Sequence, residues 1–382
     1  MGDIEDDMSD SIRWGIIGTG RVARQFAQGL RSVPDASLIA VTDRIGSAAR
    51  AFAGEFGVHR VYERSEELAA EGKVDVVYIA TPHVQHKDDC LLCLGAGKPV
   101  LCEKPMALNA EEAVQIASLA RAKRLFCMEA MWMRCIPLVR KARELVRSGA
   151  IGGLRMLMAD FGSPEPFDPQ SRLYNAALGG GALLDRGVYG ISLAQFLLGS
   201  PAQVAGQACI GETGVDEQCA LTLRYSGGEL AAISATLRGW TSNEARLAGT
   251  EGEIVLHEPF CRPERLTVRK RQRPGPPPAG AAGLKSRIRS ALKQNRLVRS
   301  VLLRLSGCLS VRDTVAAIEG NGYNYEAAEV IRCLREGVLE SDLIPLDDTI
   351  AVMRTMDSLR RDWKLRYPSE GDPACPAAAE HR

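Results

Sequence analysis

The stretch that decides the fold is residues 14–30, WGIIGTGRVARQFAQGL. Its first four residues form a brief apolar run without charge, which suits a strand buried on both faces. Gly18, Thr19 and Gly20 follow at once, and from Arg21 the apolar residues recur at helical spacing. Gly18, Gly20 and Ala23 fit the G-x-G-x-x-A pattern at a strand-to-helix turn. The first glycine permits the tight turn, the second lets backbone approach a pyrophosphate, and the small third residue lets helix and strand pack closely. The helix start at Arg21 and Val22 offers unpaired N–H groups to phosphate oxygens. Asp43 follows about twenty residues later at the end of the next strand-like run, where the ribose hydroxyls of a dinucleotide lie. Arg44 beside it sends the opposite signal, because a guanidinium binds the 2′-phosphate that a carboxylate repels. The expected cofactor is NAD or NADP, with NAD favoured by Asp43.

Outward from this turn, short apolar runs at 14–17, 37–42, 74–79, 99–102 and 125–127 alternate with helix-period segments such as 110–121. That alternation predicts an α/β Rossmann domain, a doubly wound parallel sheet, over residues 12–135. After residue 149 the texture changes to longer strand-like runs at 154–161, 203–210, 219–225, 229–236 and 253–257, with helical segments at 188–198, 325–336 and 348–365. The expectation is an α+β domain, residues 136–370, built on a mostly antiparallel open-faced sheet. Residues 1–11 and 371–382 read as disordered tails.

The 382 residues suit two domains, and 46% hydrophobic with 25% charged residues is ordinary for a soluble globular chain. With 48 Lys+Arg against 47 Asp+Glu, the net charge of +1 gives no global case for nucleic acid or membrane as partner. Eleven irregularly spaced cysteines suit a reducing compartment, and the acidic start MGDIEDDMSD has no signal-peptide character, so a cytoplasmic location is expected. One block departs from this balance: residues 265–312 hold thirteen Lys or Arg and no acid. It reads as a basic insertion at about 271–313 with apolar residues at helical spacing over 284–309. A stripe packed on its own domain is the favoured reading, and contact with anionic lipid the second.

Two further segments lie at the carboxyl ends of parallel strands, the edge across which a dinucleotide binds. VVYIA leads into Thr81, Pro82, His83 and His86, and PVLC leads into Glu103 and Lys104. Lys104 thereby falls where a nicotinamide would meet its substrate.

Taken together, the fingerprint at 18–23, TPHVQH at 81–86, CEKPMALN at 102–109, MEAMWMR at 128–134 and GGGALLDRGVY at 179–189 resemble the Gfo/Idh/MocA oxidoreductases. The last three, with GETGVDEQ at 211–218 and GNGYNYEAAEVIRCLREG at 320–337, resemble the dihydrodiol dehydrogenase branch, which also oxidises D-xylose. The resemblance implies Lys104, Asp185 and Tyr189 as catalytic residues, and adds Trp132 and Arg134 to the cofactor-binding set. It implies hydride transfer between nicotinamide and a hydroxyl or carbonyl carbon of a sugar or cyclic vicinal diol. Tyr189 would take the proton, Lys104 would lower its pKa, and Asp185 would orient Lys104 or the substrate. It also implies a homodimer joined through the open sheet face.

Arg186 departs from the family pattern, where that position is usually apolar, and reads either as an anion contact near the substrate or as a solvent-facing side chain. Cys90 and Cys93 form C-x-x-C within an apolar helical stretch and read as core, and no metal site is expected. Two other functions suit the same fold. One is a non-catalytic dinucleotide-binding protein, which would dispense with Lys104 and Tyr189. The other is a membrane- or partner-docked protein using the basic insertion.

Overall fold

The computed structural model describes residues 11–270 and 311–370. The expected tails, apart from Ser11, whose hydroxyl bonds that of Ser37, and most of the basic insertion, including 284–309, lie outside them. In the first layer six parallel strands, β1 (Ile12–Ile17), β2 (Ala36–Thr42), β3 (Arg60–Tyr62), β4 (Val76–Ile79), β5 (Val100–Glu103) and β6 (Cys127–Ala130), stand in the order β3-β2-β1-β4-β5-β6. Helices α1 (Arg21–Leu30), α2 (Gly46–Phe56), α3 (Ser65–Ala70), α4 (His86–Gly95) and α5 (Ala110–Lys123) connect them. The order reverses between β1 and β4, so the crevice opens above the carboxyl ends of these two strands. Phe26 of α1 stacks on Tyr78 of β4 with ring centroids 3.7 Å apart, and both are fully buried with Trp14. Cys90 and Cys93 are fully buried in the same core.

The fifth run was expected at 125–127, and the strand instead begins at Cys127. Arg124 turns into the left-handed region, φ 55°, and the Leu125 N–H closes α5 on the Ala120 carbonyl, which uses these residues as a helix stop.

After α6 (Pro137–Arg147) comes the larger sheet: β7 (Leu154–Gly162), then α7 (Val188–Leu198), then β8 (Gln203–Ile210), β9 (Asp216–Arg224), β10 (Leu230–Thr236), β11 (Ala245–Gly249), β12 (Gly252–Leu256), β13 (Arg265–Lys270) and β14 (Val311–Val315). The order is β14-β13-β12-β11-β7-β10-β9-β8, and only β7 and β10 run parallel. Leu266 and Val268 alternate into the core within the basic block, so its first six residues, which precede the expected insertion, form a strand. Its last residues likewise enter β14, and β13 and β14 pair as neighbours at the sheet edge.

One face of this sheet is covered. Ala231, Ile233 and Ala235 point into the core, and α7 lies so close that a Cβ on Gly190 would meet Ile233 at 2.5 Å. The other face is open, with Met156 and Met158 at 36% and Leu230 at 45% exposure. Two closing helices, α8 (Tyr323–Arg335) and α9 (Leu346–Asp362), follow the second sheet in sequence but return to the first domain. Asn321, just before α8, donates to the Gln25 carbonyl on α1 at 2.7 Å. From α9, Asp357 accepts the Ala110 N–H at 2.8 Å and Thr349 donates to Glu129 of β6 at 3.0 Å. These bonds hold the two sheets about one cleft. Among the described residues no helix is long and apolar enough to cross a membrane.

Candidate active site

A cleft of about 810 Å³ runs from the β1–α1 turn, past the ends of β4 and β5, to the start of α7. At its first end Gly18 sits at φ +92°, and a Cβ there would lie 2.7 Å from the Ala80 carbonyl oxygen. No other residue fits. Gly20 has no atom within 4 Å of its missing Cβ, so nothing in the protein demands glycine there. The space lies over the helix start, where Gly20 gives α1 no side-chain cap and leaves its first N–H groups to an outside acceptor. Ala23 is fully buried against the sheet. This cradle fits the pyrophosphate of a dinucleotide.

Asp43 lines the same end, and its carboxylate is partly committed. Oδ2 accepts from the Thr19 N–H at 2.8 Å and the Thr19 hydroxyl at 2.7 Å, while Oδ1 accepts from the Ile45 N–H at 2.9 Å. The residue expected at the ribose is thus also the clamp of the glycine turn. Arg21 and Arg44 are exposed on the cleft wall, with Val22 beside them.

Thr81, Pro82, His83 and His86 line the middle of the cleft. His83 is 7% exposed, and its Nδ1–H donates to the Gly179 carbonyl at 2.9 Å. Burial, joined by neighbouring cations, holds this imidazole well below its usual pKa and therefore neutral. His86 is fully buried with Nδ1 against the Pro105 carbonyl at 2.9 Å and Nε2 against the Thr81 carbonyl at 2.8 Å. It braces the β4 and β5 loops against each other, with both ring nitrogens occupied. Glu103, buried at the end of β5, accepts a hydrogen bond from the Tyr78 hydroxyl and thereby ties the strand end to the aromatic core.

Lys104 follows. Its ammonium donates to the Asp185 carbonyl oxygen at 2.8 Å and lies 3.3 Å from Asp185 Oδ1. Asp185 belongs to a π-helical turn, Leu183–Gly187, that leads into α7. Arg172 completes the cluster with Nη2 3.0 Å from Asp185 Oδ1. Burial alone would raise the Asp185 pKa, but Lys104 and Arg172 outweigh it and hold the carboxyl well below the ordinary range.

Tyr189 stands one turn further along. Its hydroxyl oxygen accepts the Trp132 indole N–H at 2.9 Å, and Trp132 is stacked on Tyr323 at 4.9 Å between centroids. The expectation that Lys104 would lower the Tyr189 pKa needs correction. The ammonium lies over the ring, 4.9 Å from its centroid, and burial drives the phenol well above its usual value.

Arg134 also needs correction. It is 1% exposed and does not line the cleft: its donors go to the Ser192 hydroxyl and carbonyl at 2.9 and 3.0 Å and to Asp348 at 2.7 Å. A guanidinium so committed binds α7 to α9 and has no edge left for a cofactor. Arg186 neither faces solvent nor presents a free edge, because it is 4% exposed and donates to the Ser163 and Thr236 carbonyls and, at 2.6 Å, to Glu165.

Arg172, Glu165 and Tyr323 line the cleft without having been singled out in the sequence. The first two lie in the irregular segment between β7 and α7, which carries no periodicity to read. Tyr323 is brought in by α8 from the far end of the chain. The glycine run at 179–181 is pressed on protein: a Cβ would meet Leu108 at 2.7 Å, the Leu173 carbonyl oxygen at 2.7 Å and, closer still, Asp216 Oδ1 in turn.

A glycine cradle at the switch point of a parallel sheet, facing a lysine, an aspartate and a tyrosine from a second domain, defines a dinucleotide-dependent oxidoreductase. Residues 12–131 match the oxidoreductase family with an NAD-binding Rossmann fold, and residues 139–255 match the GFO/IDH/MocA C-terminal domain. The chain belongs to this family, and it is an NAD(P)-dependent oxidoreductase. The trans-1,2-dihydrobenzene-1,2-diol dehydrogenases of Mus musculus and Oryctolagus cuniculus are 32% and 33% identical to it, covering 94% and 93% of this chain and 99% of theirs. Its fold is shared by levoglucosan dehydrogenase in complex with NADH and levoglucosan, at a TM-score of 0.77 and 19% identity over 94% of this chain and 100% of that one. It is shared too by the 3-ketoreductase KijD10 of Actinomadura kijaniata in complex with NADP and TDP-benzene, at 0.74 and 23% over 92% and 97%.

Proposed function

We propose that this enzyme transfers a hydride between nicotinamide and the CH–OH carbon of a sugar or cyclic vicinal diol, with Lys104, Asp185 and Tyr189 as its catalytic residues. The observation that carries the reading is the convergence of the Lys104 ammonium and the Tyr189 phenol on the cleft that begins at the glycine cradle. Bound there, NAD or NADP would supply the hydride acceptor. The chain's own residues handle the proton and the charge. Asp185 fixes the ammonium, which stabilises negative charge developing on the substrate oxygen. The Tyr189 oxygen accepts from Trp132, which leaves its O–H proton free for the substrate oxygen in the reducing direction. The indole N–H then stabilises the phenolate left behind, and the same groups run in reverse for oxidation. NAD is the favoured cofactor because Asp43 places a carboxylate on the ribose side of the cradle.

Assembly as a homodimer through the open face of the second sheet accompanies this reading. Met156, Met158 and Leu230 stand exposed on that face, a liability for an isolated chain in water. The function is tested by screening aldoses and vicinal diols with NAD and NADP at the nicotinamide absorbance. Substrate-dependent reduction of the cofactor is expected, and its absence across the panel in both directions overturns the reading.

A further inference from the structure

The geometry points to Glu165 as the residue that selects the substrate, by accepting a hydrogen bond from a hydroxyl other than the one oxidised, so that the enzyme favours polyhydroxylated sugars over hydrocarbon diols. This deepens the reading above and rests on it.

Glu165 is held from three sides. Its N–H donates to the Leu237 carbonyl at 2.8 Å, its carbonyl accepts the Tyr174 hydroxyl at 3.0 Å, and its Oε1 accepts Arg186 Nη2 at 2.6 Å. Arg186 in turn is fixed by the Ser163 and Thr236 carbonyls. Such tethering defines the position of a side chain on an otherwise irregular segment, a condition for using it in recognition.

The second oxygen, Oε2, makes no hydrogen bond among the described residues, and the side chain is 36% exposed on the wall of the cleft that holds Lys104, Asp185 and Tyr189. An anchored carboxylate with one open oxygen is an acceptor that a substrate must satisfy. A sugar hydroxyl does so, whereas a hydrocarbon edge strips its water and returns nothing. Arg172 offers the complement. It spends one nitrogen on Asp185, and its remaining donors have no partner among the described residues. An acceptor and a donor lining one cleft match a substrate with several hydroxyls, each of which both gives and takes a hydrogen bond. If Glu165 merely neutralised Arg186, its loss would affect every substrate alike.

The test pairs residue deletion with hydroxyl deletion. Steady-state constants are measured for wild type and Glu165→Gln with the best aldose of the screen, each of its monodeoxy analogues, and trans-cyclohexane-1,2-diol. Gln keeps an oxygen for Arg186 and removes the carboxylate. The expected result is a roughly ten- to hundredfold loss of kcat/KM for the parent sugar, carried mainly by KM. The loss should collapse for one deoxy analogue and for the cyclohexanediol. An equal loss on all substrates, or none on any, overturns the inference while leaving the dehydrogenase reading intact. Wild-type turnover of cyclic diols without any sugar also overturns it. No turnover of sugars or diols by wild type removes the underlying reading as well.

Discussion

The Lys104 ammonium meets Asp185 twice, at the backbone carbonyl oxygen, 2.8 Å, and at the carboxylate, 3.3 Å. The two residues come from different domains, so this contact joins the end of β5 to the turn that opens α7. Catalytic geometry therefore depends on the sheets keeping their relative position, which the closing helices enforce. Because Arg172 shares the same carboxylate oxygen, the lysine is aimed without being neutralised by a carboxylate of its own.

Lys104→Ala and Tyr189→Phe are each expected to lower kcat by roughly a hundredfold or more while leaving cofactor affinity nearly unchanged, since both act on charge and proton at the substrate. Trp132→Phe removes the N–H that faces the Tyr189 oxygen, together with part of the ring stacked on Tyr323, and should cost roughly tenfold. Stopped-flow turnover beside fluorescence titration of the reduced cofactor separates the two effects. Unchanged turnover in both of the first two variants contradicts the assignment.

Asp43→Asn is expected to raise the ratio of kcat/KM for NADP to that for NAD, by removing repulsion of the 2′-phosphate beside Arg44. Asn preserves an oxygen for the Thr19 N–H and hydroxyl. Asp43→Ala should in addition weaken both cofactors, because the clamp on the glycine turn is lost. An unmoved ratio means that the carboxylate serves only as the clamp.

Asp216 gives a pH prediction. It is fully buried, with Oδ2 accepting the Leu183 N–H at 2.6 Å and Oδ1 unpaired, and burial pushes its carboxyl up to about 7. The unfolded value is about 3.9, so between these values the folded chain holds a proton that the unfolded chain releases. Stability from this group is present at low pH and is lost as pH rises toward 7, by about 4 kcal/mol in all. The difference in Tm between wild type and Asp216→Asn should shift against wild type from pH 5 to pH 7 and level off above. A difference independent of pH contradicts it.

Five of the six parallel strands were legible because burial on both faces writes them as apolar runs and because Gly18 has no substitute at its φ, whereas β3, half-buried and opening on Arg60, was missed. In the second domain the strands at 203–210 and 229–236 were read to within a residue, since half-buried strands alternate. β14 escaped because all five of its residues are exposed. Of the candidate site, Lys104, Asp185 and Tyr189 came from motif resemblance and lie together. Trp132 and Arg134 were misplaced because sequence neighbours of a site residue share its motif without lining the site: Trp132 stands behind Tyr189 and Tyr323, which do line the cleft, and Arg134 turns to the domain joint. Arg172 and Glu165 were unreadable, since ion pairs between an irregular loop and a distant helix leave no periodic trace.

The open sheet face predicts a dimer in solution. Light scattering at micromolar concentration should give twice the chain mass, and Ala232→Arg, placed between Met158 and Thr222 on that face, should give monomers with the fold retained. A wild-type monomer, or a dimer indifferent to the substitution, contradicts this interface.

Hydride transfer from substrate to nicotinamide can be followed directly by an isotope label. The best substrate of the screen, deuterated at the carbon that the product shows to be oxidised, is incubated with the purified enzyme and the oxidised cofactor, and the reduced cofactor is analysed by mass spectrometry. One deuterium per molecule of cofactor formed is the predicted result, with the yield falling sharply in Lys104→Ala. Cofactor that binds the protein yet is never reduced by any aldose or diol of the panel, nor oxidised by the corresponding carbonyl compounds, would contradict it.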